Sequence, residues 1–309
     1  TPPFAVAAAR RLGVTDSRLR RKDLSRPFHG VRSVDLGIRL ATQEAIVRRA
    51  IEYAQRMRGD EFFSHATAAV LWGLPLPRSR LLASDRLDED ALRPLDVAVA
   101  LPARAGRARG IRGRSTAPHL AEVRVHPATG VRVSTPASVW AELACELTLE
   151  DLVAVGDAVV REPMWETDAA ALASVADLDR AVQAGRRRGI ETLRTARLLV
   201  RTRSRSRPET HFRLAFRDAG LPEPECNWPV LEGERALALL DLAYPERRVC
   251  FEYEGEHHLR DEEQWARDIR RHEMLVERGW RIVRVTKDDL YRRRRELFAR
   301  IRLAIAARA

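Results

Sequence analysis

At 309 residues the chain is long enough for two or three domains of ordinary size. Its 45% apolar content excludes a disordered chain, and no apolar run approaches the roughly 18 residues of a membrane-spanning helix. The net charge of +11 is carried almost wholly by arginine, since Lys22 and Lys287 are the only lysines, and it favours phosphate-bearing partners over a merely soluble surface or an arginine bias in coding. Thr1 to Leu12 carry no signal-peptide pattern, so a soluble, cytoplasmic protein with no membrane partner is expected. Cys145, Cys226 and Cys250 lie far apart and form no CxxC pair, which argues against a zinc site or a disulfide framework.

Residues 5–22 read as two short helices about Gly13, with Ala7, Ala8, Leu12, Val14 and Leu19 on the apolar face and Thr15 or Asp16 as cap of the second. Arg18, Arg20, Arg21 and Lys22 make that second helix basic and are candidate nucleic-acid contacts, although any small helical hairpin writes the same pattern. Pro27 to Ser33 follow as a short strand or wing. Residues 41–58 have helical periodicity, and Ser64 caps a further helix that Gly73, Pro75 and Pro77 stop after Leu71. His65, in its first turn, reads as structural. Leu95 to Pro102 form a buried strand, followed by the arginine- and glycine-rich loop ARAGRARGIRGRS, then by a hairpin turning near Ala128 to Gly130. Two helices come next, with Thr148 and Asp151 as a capping box. Residues 167–200 are helical, and Arg201 to Arg207 mark a domain boundary or equally a basic strip on a phosphate backbone.

From about residue 4 to 162 the arrangement resembles AbiEi-type antitoxin proteins, on the basic helical hairpin, SHATAAVLWGLPLP and VRVSTPASVWAELACELTLEDLVAVGDAVV. The resemblance implies a winged-helix DNA-binding head, an antitoxin segment behind it, and a cognate toxin as partner. These motifs build a fold; no cluster in this half asks for a catalytic explanation.

After Pro208 the pattern changes. A helix beginning at Glu209 carries Phe212, Leu214, Ala215 and Phe216 and ends at Gly220. The runs ALALLDLAY and VCFEYE flank PERR as a β-hairpin. With Glu246 and Arg247 at the centre of its turn, Asp241 stands opposite Glu252, and alternation puts Glu254 on the same face with Val249, Phe251 and Tyr253 on the other. A slip of one residue would undo this juxtaposition. Like charges so placed repel unless a cation lies between them. An oxygen-only set suits Mg²⁺, which takes one or two carboxylates and completes its shell with water and phosphate oxygens. The plainer alternative is an exposed hairpin with a solvated acidic face. His257 and His258, just past the strand, are placed to move a proton at a metal-activated water.

The span from about Pro208 to Ala309 resembles the PD-(D/E)XK nuclease superfamily, and within it the very-short-patch-repair (Vsr-like) endonucleases, on Glu209, LLDLAYPERRVCFEYEGEHH and RDIRRHEMLVERGWRIVRVT. The resemblance implies that Glu209, Asp241 and Glu252 hold Mg²⁺ or Mn²⁺, with the Tyr253 carbonyl beside them. Arg267, Arg270, Arg271 and the run Arg292 to Arg295 would then grip a DNA backbone. Asp268 and Arg271, three apart on one helix, either pair with each other or face the site. One position departs from the superfamily pattern: Glu254 stands where a lysine orients the attacking water. Vsr-like relatives also lack that lysine and use histidine, which assigns the role to His257 or His258, with Glu254 alongside.

The fold expected is mixed α/β: a winged-helix-like head over 1–35, an α+β domain over 36–165, a helical linker over 166–207 and an α/β/α nuclease domain with a mixed sheet over 208–309. The expected function is a metal-dependent DNA endonuclease. The alternative is a non-catalytic DNA-binding antitoxin or transcriptional regulator with a degenerate nuclease fold.

Overall fold

The computed structural model describes residues 2–34, 37, 40–84, 91–254 and 262–308, with the backbone alone at 262–266. The fold is mixed α and β and forms two compact units, Thr1–Val160 with Ala169–Val200, and Arg161–Asp168 with Arg201–Ala309. Among the described residues no helix is long and apolar enough to cross a membrane.

The first unit opens with β1 (Phe4–Ala5), α1 (Val6–Arg11), α2 (Asp16–Leu19), β2 (Leu24–Ser25) and β3 (Val31–Val34), the strands forming an antiparallel sheet in the order β1-β3-β2. Gly13, at φ +83°, makes the turn between the helices, and Thr15 Oγ1 accepts the Arg18 N–H at 3.4 Å to start α2. Ala9 and Leu19 are buried here, whereas Leu12, expected on the apolar face, is 85% exposed. The reason is local: α1 ends at Arg11, so Leu12 has left the helical phase.

The next elements are α3 (Thr42–Ala54), β4 (Glu61–Phe63), α4 (His65–Leu71), α5 (Arg78–Leu81), β5 (Leu95–Ala100), β6 (Ile111–Thr116), β7 (Val123–Val125) and β8 (Arg132–Ser134). Their five strands form one mixed sheet in the order β6-β5-β4-β8-β7. The inner strand β5, between β6 and β4, buries Leu95, Val97, Ala98 and Val99. Its one acid, Asp96, is also buried, and the guanidinium groups of Arg112 (2.6 Å) and Arg114 (3.0 Å) neutralise it.

Four helices complete the unit: α6 (Pro136–Glu142), α7 (Leu149–Val159), α8 (Val175–Gln183) and α9 (Ile190–Leu199). The last two fall in the stretch expected to be a linker. They are part of the first unit's core instead, because Leu178, Leu193 and Ala196 are wholly buried in it. Gly189 is the pivot before α9. Its φ is +77°, and a Cβ there would lie 2.5 Å from the Ala144 carbonyl oxygen. Gly189→Ala is therefore expected to cost about 2 kcal/mol or more, from strain and overpacking together. A denaturant midpoint unchanged within error would contradict this.

The second unit runs α10 (Arg207–Asp218), β9 (Glu225–Glu232), β10 (Arg235–Tyr244), β11 (Val249–Glu254), α11 (Glu262–Glu277), β12 (Arg281–Thr286), α12 (Lys287–Tyr291) and α13 (Arg294–Ala306). The sheet order is β12-β11-β10-β9, antiparallel except where β12 joins β11 in parallel after the α11 crossover. Parallel neighbours need such a crossover. Residue alternation along β10 and β11 divides the core between the two faces. On one, Phe251 packs edge-on to Phe212 and Phe216 of α10 (ring centroids 6.3 and 4.9 Å), with Phe298 of α13 in the same cluster. On the other, Ala243 and its cross-strand partner Cys250 meet Leu275 of α11 and Trp280.

Candidate active site

The hairpin between β10 and β11 closes through a 3-10 turn at Pro245–Arg247, with Arg248 in the left-handed region at φ +51°. Tyr244 pairs with Val249, Ala243 with Cys250 and Leu242 with Phe251. Continued by one step, the same register brings Asp241 to Glu252. The Tyr253 N–H donates to Asp241 Oδ2 at 2.8 Å, which fixes the carboxylate at the end of the ladder.

Asp241 is half-buried, and its carboxyl pKa is pushed up to about 8. Burial is the largest cause; the charges of Glu252 and then Glu209 add to it, while the Tyr253 N–H and Arg271 oppose it. Glu252 is held differently. Arg271 of α11 forks onto both its oxygens at 2.7 and 2.9 Å and also donates to the Leu239 carbonyl at 2.7 Å. Glu254 faces Arg284 Nε at 3.4 Å. Asp241, Glu252 and Glu254 share a cleft of ≈ 390 Å³ with Asp268, Arg271 and His272.

The other residues singled out from sequence are placed as follows. Glu209 does not line this cleft. Its Oε2 accepts from the Arg205 N–H (2.9 Å) and from Asn227 Nδ2 (2.8 Å) at the start of α10, from where its charge reaches Asp241. Arg267 and Arg270 are exposed on α11, whereas Arg271, expected beside them on a DNA backbone, turns inward to Glu252. Asp268 and Arg271 both line the cleft, and Arg271 pairs with Glu252. His257 and His258 lie outside the described residues. Arg18, Arg20, Arg21 and Lys22 are exposed around α2; Arg18 lies 3.0 Å from Asp23, Arg20 4.0 Å from Asp16, and Arg21 3.9 Å from Asp23. Pairs this open to water are weak and yield readily to a phosphate. Arg292 and Arg293 share Asp288 at 3.5 and 3.3 Å.

Two polar cleft residues, His272 and Arg284, were not singled out from sequence. His272 lies four residues after Asp268 and one after Arg271, so a single helical face carries all three toward the carboxylates. The i, i+4 spacing from Asp268 was the available signal. His65, by contrast, serves packing. Its N–H donates to the buried Glu142 at 2.9 Å, and its ring lies 3.1 Å from Ser64 Oγ. Cys226 and Cys250 are buried, and burial also pushes the Cys250 thiol up, away from thiolate chemistry.

Among the described residues no three His, Cys, Asp or Glu side chains converge as a metal-ligand group. Among the described residues, the carboxylates that line the cleft are Asp241, Glu252, Glu254 and Asp268, and Asp241 and Glu252 are the pair whose charges repel. They fit a hard divalent ion in two respects: all donor atoms are oxygen, and the surplus negative charge that raises Asp241 is what a cation relieves. In the metal-free chain Arg271 provides the counter-charge, so an incoming cation has to share Glu252 with it.

Comparison with known proteins gives two matches of equal strength. The chain is 31% identical over 204 residues, 62% of this chain and 70% of the relative, to "Uncharacterized protein MT2308" of Mycobacterium tuberculosis strain CDC 1551. The same figures hold for "Uncharacterized protein Rv2248" of strain H37Rv. No family model and no solved structure matches.

Proposed function

Since the chain belongs to the family of these two mycobacterial proteins, whose names give no activity, we propose from the acidic cleft itself that the second unit is a metal-dependent DNA endonuclease domain. The observation that carries this reading is Asp241: a carboxyl pushed up to about 8 between Glu252 and Glu209, beside an open cleft in a strongly basic chain. The element order supports it. A helix bearing Glu209, a strand bearing Asp241, a strand bearing Glu252, an arginine-rich helix and a further strand follow one another as the Vsr-like resemblance implies.

Asp241 and Glu252 would hold Mg²⁺ or Mn²⁺. When bound, the ion polarises a phosphate and lowers the pKa of a coordinated water. Arg267 and Arg270, exposed on α11, would hold the DNA strand by its phosphates. His272, on the cleft wall, is the described imidazole within the site and can take the proton from an attacking water. The basic hairpin of the first unit would add affinity for DNA. A toxin partner rests on the antitoxin resemblance alone.

A second reading has its own observation. Glu252 is already forked by Arg271, and Glu254, in the lysine position, lies 3.4 Å from Arg284. A domain whose acids are neutralised from within would grip DNA without cutting it, as a regulator.

Incubation of the full chain with supercoiled plasmid, linear duplex and single-stranded DNA, with Mg²⁺ or Mn²⁺, separates the two. Cleavage that is lost in EDTA and in the Asp241→Ala/Glu252→Ala double variant is expected. A folded protein that retards DNA in a gel yet leaves every substrate intact establishes the regulator instead.

A further inference from the structure

The first unit holds an arginine-lined cleft that the proposed function leaves unused. It has a volume of ≈ 690 Å³ and draws on three separate stretches of chain. Arg26 and His29 come from the wing-like segment, Arg49 and Arg56 from α3, and Arg107 and Arg109 from the arginine- and glycine-rich loop before β6.

The charge is one-sided. Among the described residues Glu52 is the one acid lining the cleft; it is buried, and Arg48 neutralises it at 3.2 Å. Five arginines, drawn from three stretches of chain, therefore line one concavity. Arg26 also acts beyond the cleft: its charge, after burial, helps push the Arg32 guanidinium down. Such crowding costs free energy in the empty protein and favours whatever anion relieves it.

The loop is built rather than loose. Its start is held by Arg58, whose Nη2 donates to the Arg104 carbonyl at 3.0 Å. Its end is held by the Leu95 N–H on the Gly110 carbonyl (2.9 Å) and the Ile111 N–H on the Ala108 carbonyl (3.1 Å). Glycine is required at two points. A Cβ on Gly113 would lie 2.8 Å from Ala105 Cβ, where the loop folds back on β6, and one on Gly110, at φ +77°, would lie 2.9 Å from Arg49 Nη2. These contacts bring Arg107 and Arg109 to α3 while leaving both exposed.

We propose that this cleft binds a run of two or more adjacent phosphate groups, held by the guanidinium forks of Arg107 and Arg109, with Arg26, Arg49 and Arg56 lining the cleft around them. Arginine forks match phosphate oxygens in pairs, and five of them exceed what one phosphate can engage. The run has two possible sources, a nucleic-acid backbone or a free oligophosphate such as a nucleotide's. The site is independent of cleavage in the second unit and of the basic residues around α2.

The test uses the full chain in EDTA, so metal-dependent cutting does not enter. Anisotropy of a fluorescein-labelled duplex is followed over a salt series, and inorganic tripolyphosphate is titrated by calorimetry. Arg107→Ala/Arg109→Ala is compared with Arg107→Lys/Arg109→Lys and with Arg186→Ala/Arg188→Ala, which removes the same charge from exposed positions elsewhere in the first unit. Loss of two phosphate contacts lowers the slope of log K against log salt by about 1.8. For a backbone ligand, the alanine pair is expected to show that change and about tenfold weaker duplex binding, with partial recovery in the lysine pair and little change in the control. Saturable one-to-one tripolyphosphate binding that the alanine pair loses, with duplex binding unchanged, identifies a free oligophosphate. The proposal is overturned if both probes bind the alanine pair as they bind the parent, or if the control pair weakens them equally.

Discussion

Asp241→Asn is expected to lower metal-dependent cleavage on the order of 10³-fold or more, the equivalent of roughly 4 kcal/mol of lost stabilisation by the metal, and yet to stabilise the metal-free protein. The second effect follows from the carboxyl being pushed up to about 8, by burial first and then by Glu252 and Glu209. The folded chain keeps a proton that the unfolded chain releases near pH 4. Its contribution to stability is full below that pH and disappears as pH rises through about 8, with a slope of at most about 1.4 kcal/mol per pH unit. Asparagine stays neutral throughout and can still accept the Tyr253 N–H. The gain in melting temperature over the parent should therefore grow between about pH 4 and about pH 8, and be roughly half as large at pH 6 as at pH 9, both in EDTA. Equal gains at the two pH values would mean that Asp241 does not hold the proton. The same linkage gives the metal a pH dependence. Binding below pH 8 must expel that proton, so Mg²⁺ affinity should rise with pH and level off above about 8.

The hairpin was legible because two independent signals agreed. Alternation along 237–244 and 249–254 set the faces, and the short PERR turn left little freedom in register. The turn's form, 3-10 with Arg248 at φ +51°, was not written in the pattern, but a turn of the same length gives the same pairing. The direction of Arg271 was not legible. Arg267, Arg270 and Arg271 look alike in sequence, and their fates separate only once α11 packs through Leu275 against β10 and β11, which carries the 268–271–272–275 face inward. Glu209 was legible only through the nuclease resemblance, since its own spacing says no more than the first turn of a helix. Residues 166–207 read as a helical linker because they lie between the antitoxin-like and the nuclease-like stretches and end in the charged run Arg201 to Arg207. What that reading missed is that Leu178, Leu193 and Ala196 recur on the inward faces of α8 and α9 and suffice to seal them into the first unit.

Arg271→Ala carries the second large expected effect, and it decides between the two readings of the site. The substitution strands Glu252 next to Asp241 and frees the Leu239 carbonyl. Breaking a buried pair from one side costs about 3–5 kcal/mol. Arg271 is 34% exposed and Glu252 13%, so screening by water lowers the expected loss to about 2–3 kcal/mol. Asp241 loses an opposing positive charge as well, so its carboxyl should move further up. If the two carboxylates form a cation site, Mg²⁺ replaces the missing charge, because a ligand that binds only the folded state stabilises it in proportion to its occupancy. The variant should then gain more melting temperature from millimolar Mg²⁺ than the parent does, and its Mg²⁺ affinity should exceed the parent's, since the ion no longer shares Glu252 with a guanidinium. If Arg271 is instead the permanent counter-ion of a site that never takes metal, Mg²⁺ leaves the variant as unstable as EDTA does. The assay needs no cleavage and no DNA, so a nuclease with an unfamiliar target and a regulator with none remain distinguishable by thermal melts alone.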